Sequence, residues 1–175
     1  MKLLMVFSYF TDGFAYAGEA MVGRSAGAGD REGLRLSVEW NLVWCAGLAL
    51  LFMLVYGFGG TPMMKLMTSD PAVAAAARDY MPWLLAMPVA GVGAFALDGI
   101  YVGATRTAYI RKCMVWAAAA FFGVWFGGRL ICSLLMPASS AFSFAVSPAF
   151  GLHLLMAAYF AHLLARTAVL AINCR

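Results

Sequence analysis

Three carboxylates interrupt otherwise apolar segments of this chain. Asp12 and Glu19 lie within the first such segment, and Asp98 lies near the end of another. An aspartate at the centre of a membrane-spanning helix costs about 2.5–3.5 kcal/mol on insertion scales, so such residues usually mark an ion pathway or a coupling site. These three residues are therefore the first candidates for a functional role.

The first two carboxylates belong to a polar stripe. Asp12, Tyr16 and Glu19 follow one another at positions i, i+4 and i+7, which places them on one face of a helix. Such a stripe needs either a water-filled cavity or hydrogen-bonding partners on another helix. Asp12 and Glu19 are thus candidates for cation coupling or for structural contacts between helices, and Tyr16 is a candidate for the wall of a substrate cavity.

Asp98 lies in a different environment. The residues that share its helical face are mostly apolar: Ala94, Tyr101 and Val102. Because an apolar environment favours the neutral form of a carboxylate, Asp98 is the leading candidate for a proton carrier unless a cation binds there. Tyr101 is the second candidate for the substrate cavity.

The composition indicates that these segments fold within a lipid membrane. Hydrophobic residues make up 64% of the chain and charged residues only 11%, whereas soluble domains have roughly 45–50% and 25%. At about 20 residues per span, five spans fit. They lack the alternation of a membrane barrel, so we predict an all-α polytopic membrane protein. The predicted spans are residues 3–22, 40–58, 81–102, 114–135 and 150–172.

The positive charges predict the orientation in the membrane. The net charge is +4, but the Lys and Arg residues lie in loops rather than along one face, so topology explains them better than nucleic-acid binding. The two basic clusters are Arg24, Arg31 and Arg35, and Arg106, Arg111 and Lys112. We expect both clusters to be cytoplasmic, with a cytoplasmic C-terminus and Met1 outside. A bacterial cytoplasmic membrane is the predicted location, and the chain is expected to begin partway through a larger protein.

Proline and small residues predict how the helices bend and pack. Pro88 removes an amide donor inside the third predicted span, which indicates either a bend for packing or a moving hinge. Small residues spaced four apart allow close helix contact. Such pairs are Gly13/Ala17, Gly23/Gly27, Gly99/Gly103 and Gly123/Gly127. Ser69-Asp70-Pro71 also predicts the start of a short outer helix before the third span.

The remaining reactive side chains give little sign of other chemistry. Arg129 is expected near the outer end of its span, where it could reach the interface or pair with a carboxylate. His153 and His162 are nine positions apart, on opposite sides of a helix, so they cannot share a metal ion. The cysteines show no paired spacing, and Glu39 and Asn41 are interpreted as boundary residues. We therefore predict no metal site and no enzyme.

Several stretches resemble one family of membrane transporters. The run FSYFTDGFAYAGEAMVGR, residues 7–24, followed by Gly27-Ala28-Gly29-Asp30, resembles the eighth helix of multidrug and toxic compound extrusion (MATE) transporters, most closely their DinF-like branch. Residues 68–73 and 97–106 are similar to the connection into helix ten and to the end of that helix. Residues 151–153 and 163–166 are more weakly similar to the two ends of helix twelve.

The resemblance implies a protein of twelve helices in two lobes that expels organic cations or other amphiphiles in exchange for H⁺ or Na⁺. This chain would supply helices eight to twelve of the C-terminal lobe, and the missing N-terminal lobe would be its partner. Asp98 matches a position in helix ten where other branches place an acidic residue of the cation site. In the DinF-like branch, however, the proton-coupling aspartate is generally ascribed to the N-terminal lobe.

The predicted partners follow from this resemblance and from the composition. They are the lipid bilayer, a small cationic or amphiphilic substrate and the missing lobe, with H⁺ or Na⁺ as the coupling ion and no organic cofactor. Two alternatives stay open: a truncated chain that does not transport, and a lipid-linked oligosaccharide flippase of the related superfamily.

Overall fold

A computed structural model describes residues 2–67, 78–135 and 148–173, and all regular secondary structure within them is helical. The five helices are α1 (Lys2–Gly27), α2 (Arg31–Met67), α3 (Met81–Gly103), α4 (Thr107–Leu135) and α5 (Pro148–Ile172). The predicted all-α fold is confirmed for this part of the chain. The short helix predicted after Ser69 lies outside the described residues.

Four of these helices are long and apolar enough to cross a membrane. The qualifying segments are residues 31–60, 81–103, 107–134 and 149–172. The 26 residues of α1 are sufficient in length, but Asp12 and Glu19 make this helix less apolar, so its membrane span stays a prediction. The polytopic membrane class is therefore supported by four helices, with α1 as the polar member of the set.

The helices extend beyond the predicted spans. Helix α2 begins at Arg31 rather than near Trp40 and continues past Pro62, and α4 begins at Thr107 rather than near Met114. The predicted limits followed hydropathy, whereas a helix continues into polar sequence as long as its backbone hydrogen bonds are made. Hydropathy thus located these helices but underestimated their length.

A short turn with suitable end residues joins α1 to α2. Gly29 has a positive φ of 69°, a conformation that glycine adopts without steric cost. The Asp30 amide donates to the Ser25 carbonyl and the Gly29 amide to the Ala26 carbonyl, which closes the end of α1. The Gly33 amide then donates to Asp30 Oδ1 at 2.9 Å, so Asp30 caps the start of α2.

The chain divides into two compact units, Met1–Ile110 and Arg111–Arg175. In the first unit, α1 contacts both α2 and α3, and α2 also contacts α3. The aromatic rings of Phe7, Phe52 and Phe95 join these three helices, with Phe7 centroids 5.4 Å from Phe52 and 6.5 Å from Phe95. The hydrophobic core of the first unit is therefore shared by three helices.

The second unit pairs the part of α4 from Arg111 onward with α5. The Cys113 thiol lies 3.5 Å from the Arg166 carbonyl oxygen as its hydrogen-bond donor, and Gly128 lies against Leu154. Cys113 near the start of α4 thus contacts Arg166 near the end of α5. Gly128 near the end of α4 contacts Leu154 near the start of α5. These two helices are consequently antiparallel.

Candidate ion-coupling site

Two glycines of α3 bring its backbone directly against that of α1. A Cβ atom added to Gly99 would overlap the Ala15 carbonyl group, and one added to Gly103 would overlap the backbone of Glu19. A Cβ atom at Gly23 would lie 3.4 Å from the Gly103 carbonyl oxygen. The predicted close packing is therefore confirmed for Gly99 and Gly103, and these glycines set the separation of the two helices.

Four other glycines of the predicted pairs make no close helix contact among the described residues. A Cβ atom added to Gly13, Gly27, Gly123 or Gly127 would meet no described heavy atom within 4 Å outside its own helix backbone and chain neighbours. The sequence pattern is the same at all these sites, so spacing alone does not indicate which face of a helix is occupied.

The glycine contact places the helices that carry the carboxylates side by side and in parallel. The pairs Ala15–Gly99 and Glu19–Gly103 keep the same offset in residue number. At the rise of an α-helix, this register places Asp98 within about 3 Å of the height of Asp12 along the helix axes. Asp98 and Asp12 therefore lie at one level of the α1–α3 pair, and Glu19 lies farther toward the end of α3.

Asp98 is a partly enclosed carboxylate beside the contact between α1 and α3. Its side chain is half-buried, and its Oδ1 atom is removed from solvent. Ala94 and Tyr101, which share its helical face, are buried at 0% and 3% exposure, whereas Val102 is exposed. Two of the three residues predicted to share its face are thus buried, and the coupling role of Asp98 stays a prediction.

The polar stripe of α1 is more accessible. Asp12 and Glu19 are half-buried, and Tyr16 is 70% exposed. The face of α1 that is fully enclosed carries Phe7, Thr11 and Val22 instead, each at 0% exposure. The stripe therefore borders the helix contact and is not its centre.

The remaining predicted site residues lie in packed surroundings. Tyr101 is buried with its ring centroid 5.9 Å from that of Tyr109, so its place in a substrate cavity stays a prediction. Pro88 is buried inside α3, and its role as a hinge likewise stays a prediction. Of the two tyrosines, Tyr16 is the one accessible to a ligand.

A groove on the exposed side of α1 was not predicted. It has a volume of about 480 Å³ and is open along one side. Its lining consists of Tyr9, Phe10, Gly13, Phe14 and Ala17. Three aromatic residues together with glycine and alanine give a surface that suits a flat apolar group.

Asn41 is a buried polar residue that the sequence analysis had placed at a boundary. Its side chain is 5% exposed and lies against Gly18 of α1, where a Cβ atom would overlap the amide. The Cys45 thiol lies 3.8 Å from Asn41 Oδ1, and Asn41 Nδ2 has no hydrogen-bond partner among the described residues. Spacing could have revealed this position, because Ser37, Asn41 and Cys45 repeat every four residues along one face of α2.

Three further ionisable residues that the sequence singles out belong to the second unit: Arg129, His153 and His162. Arg129 is exposed, and its guanidinium lies 5.0 Å from the centre of the Trp125 ring. His162 stacks on Tyr159 at 6.3 Å between ring centres, and His153 is half-buried. Within the described ranges no three His, Cys, Asp or Glu side chains are grouped to hold a metal ion.

The fold and the site together define a class: a helical membrane protein with carboxylates beside a tight contact between two helices. The sequence model of the MatE family matches residues 1–127. The chain is also 40% identical over 123 residues to DNA damage-inducible protein F of Escherichia coli strain K12. No solved structure matches the chain. This chain belongs to the MatE family, whose members are transporters and not enzymes.

The match covers different shares of the two proteins. It covers 69% of the present chain but 26% of the relative. The chain therefore spans about a quarter of the length of that protein.

Proposed function

We propose that the protein acts in secondary active efflux of organic cations or other amphiphilic compounds, driven by H⁺ or Na⁺ antiport. The chain would act as part of a full-length MatE transporter. The observation that carries this proposal is Asp98, a carboxylate with a buried oxygen beside the Gly99–Ala15 contact. Family membership supplies the transporter class, and Asp98 supplies the candidate coupling group.

Asp98 couples ion entry to substrate exit by binding and releasing H⁺ or Na⁺. A carboxylate in apolar surroundings is costly when charged, so protonation or a bound cation changes the relative stability of conformations that expose it differently. Gly99, the next residue, touches α1 through its backbone. Any displacement of α3 at Asp98 must therefore alter its contact with α1, which carries the groove and Tyr16.

The α1 groove is the proposed contact surface for the amphiphile. Three of its five lining residues are aromatic, Tyr9, Phe10 and Phe14, and the other two are the small residues Gly13 and Ala17. Flat cationic compounds are attracted to aromatic faces by about 0.5–2 kcal/mol per contact, the larger values applying where water is excluded. The groove and Asp98 lie on separate helices, so ion and substrate would act through the α1–α3 contact and not through one shared pocket.

For the orientation we propose a cytoplasmic C-terminus in a bacterial inner membrane. Exposed basic residues around the start of α4 support this proposal: Arg106 lies in the turn before this helix, and Arg111 and Lys112 lie in its first two turns. Lys and Arg are enriched in cytoplasmic loops and near the cytoplasmic ends of spans. Near the start of α2, by contrast, Arg35 is paired with Glu39 at 2.8 Å.

The test is efflux of a fluorescent cationic dye from cells that express the full-length protein. Asp98→Asn removes the titratable group while keeping its size, and we expect ion-driven efflux to fall to the level of cells without the protein. Glu39→Gln is the matched control, because Glu39 is an exposed carboxylate in an ion pair on the helix surface. Unchanged efflux by Asp98→Asn at equal membrane levels would remove Asp98 from the coupling role.

A further inference from the structure

The two parts of the chain differ strongly in charge. All eight Asp and Glu residues lie within residues 1–98. Residues 111–175, which form the second unit, contain no acidic residue but five basic ones: Arg111, Lys112, Arg129, Arg166 and Arg175. Carboxylates of the second unit therefore cannot neutralise its cations. Charge asymmetry of this kind points to an anionic surface outside the unit.

One face of α4 presents two of these cations with apolar residues between them. At the 100° turn per residue of an α-helix, a single stripe contains Arg111, Val115, Ala118, Phe122, Trp125 and Arg129. Val115 is 66% exposed and Phe122 is 54% exposed, while Cys113 and Ala117 on the side facing α5 are fully buried. The stripe is thus the face of α4 that is turned away from α5.

The length of the stripe matches the thickness of a membrane. Arg111 and Arg129 are five helical turns apart, about 27 Å at the rise of an α-helix, and the hydrocarbon layer of a bilayer is about 30 Å thick. When Arg111 lies at one headgroup layer, Arg129 therefore reaches the opposite one. A lipid-facing stripe accounts for an arginine inside an apolar helix without requiring a carboxylate partner.

The contact with Trp125 positions the Arg129 guanidinium to bind an anion. The guanidinium carbon lies over the Trp125 ring at 5.0 Å from its centre, and the Arg129 side chain is exposed, so its N–H groups can donate to a ligand outside the helix. A guanidinium binds phosphate oxygens through two parallel hydrogen bonds. Tryptophan is enriched at the membrane interface, where a lipid phosphate is found.

We propose that Arg129 and Trp125 form a binding site for the phosphate group of an anionic phospholipid, in the leaflet opposite to that contacted by Arg111. The lipid phosphate accepts hydrogen bonds from the Arg129 guanidinium, and the acyl chains run along the apolar residues of the stripe. Arg129 and Trp125 both belong to the second unit, and this proposal does not depend on the transport proposal.

Native mass spectrometry of the detergent-purified full-length protein tests the site, with phosphatidylglycerol and phosphatidylcholine as probes. Arg129→Gln should weaken phosphatidylglycerol binding by about five-fold, the equivalent of about 1 kcal/mol for one arginine near an anionic surface. Arg129→Lys should be intermediate, since it keeps the charge without the two-pronged geometry. Phosphatidylcholine binding should change less, because its own ammonium group offsets the phosphate charge.

Arg35→Gln is the matched control, because this exposed arginine is already paired with Glu39 and its loss should leave lipid binding unchanged. Thermal unfolding keeps the test independent of protein yield: phosphatidylglycerol should stabilise the wild type more than Arg129→Gln. Equal lipid affinity in wild type and Arg129→Gln would overturn the proposal. Displacement of phosphatidylglycerol by inorganic phosphate would also overturn it. A further contrary result is that Arg129→Gln lowers the unfolding temperature by the same amount with and without lipid, which would indicate a carboxylate partner elsewhere in the protein.

Discussion

Replacement of Gly99 by alanine should separate α1 from α3. The added Cβ atom would overlap the Ala15 carbonyl, and neither helix backbone can yield as a flexible side chain does. Restoring ordinary van der Waals separation requires the helices to move apart by roughly 1 Å. Overpacking of this kind costs about 1–3 kcal/mol, and we expect the upper part of this range because backbone opposes backbone.

A second effect of the substitution acts in the opposite direction. Alanine is favoured over glycine by about 1 kcal/mol within a helix, so Gly99→Ala should be less stable than wild type by about 1–2 kcal/mol after this gain is subtracted. Gly103→Ala should behave alike, because its Cβ atom would overlap the Glu19 backbone. Gly47→Ala is the control: apart from its chain neighbours and its own helix backbone, no described atom lies within 4 Å of its Cβ position, and it should be neutral or slightly more stable.

Thermal unfolding of the purified full-length protein in detergent measures these differences. The expected order of midpoint temperatures is Gly47→Ala at or above wild type, with Gly99→Ala and Gly103→Ala clearly below both. Equal midpoints for Gly99→Ala and Gly47→Ala would refute the backbone contact. Destabilisation of similar size by all three substitutions would also refute it, because the effect would then reflect glycine replacement in general.

Two further predictions concern a side-chain contact between helices and a strained backbone position. Gly18→Ala should destabilise the protein because its Cβ atom would overlap the Asn41 side chain; adding Asn41→Ala should restore part of the loss, and additive effects in thermal unfolding would contradict this contact. Thr105→Gly should raise the unfolding free energy by up to about 1 kcal/mol, because Thr105 has a φ of 57° that is unfavourable for a β-branched residue. An unchanged or lowered midpoint would argue against strain at Thr105.

Long apolar segments made the helices predictable, because hydropathy is a local property of the sequence. The spacing of Gly99 and Gly103 also indicated a close helix contact, which the structure forms with Ala15 and Glu19. The same spacing at Gly123 and Gly127 leaves both positions open among the described residues. Which small-residue face packs depends on the neighbouring helix, and that information is not local.

Asn41 shows why part of the site was not predicted. Its polar side chain near the predicted start of a span suggested a boundary, but α2 begins about two and a half turns before that predicted start, and Asn41 is enclosed against Gly18. Arg129 was expected either to reach the interface or to pair with a carboxylate, and its described contact is with Trp125. Both outcomes depend on helix length and rotation, which hydropathy does not determine.

The most direct test of Asp98 as the coupling residue uses proteoliposomes with an imposed H⁺ or Na⁺ gradient. We predict that the wild-type protein accumulates dye against its concentration gradient and that Asp98→Asn does not, while both proteins exchange dye down its gradient when no ion gradient is present. Retention of downhill exchange would show that the variant is folded and binds dye. Uphill transport by Asp98→Asn at the wild-type rate would contradict the coupling role.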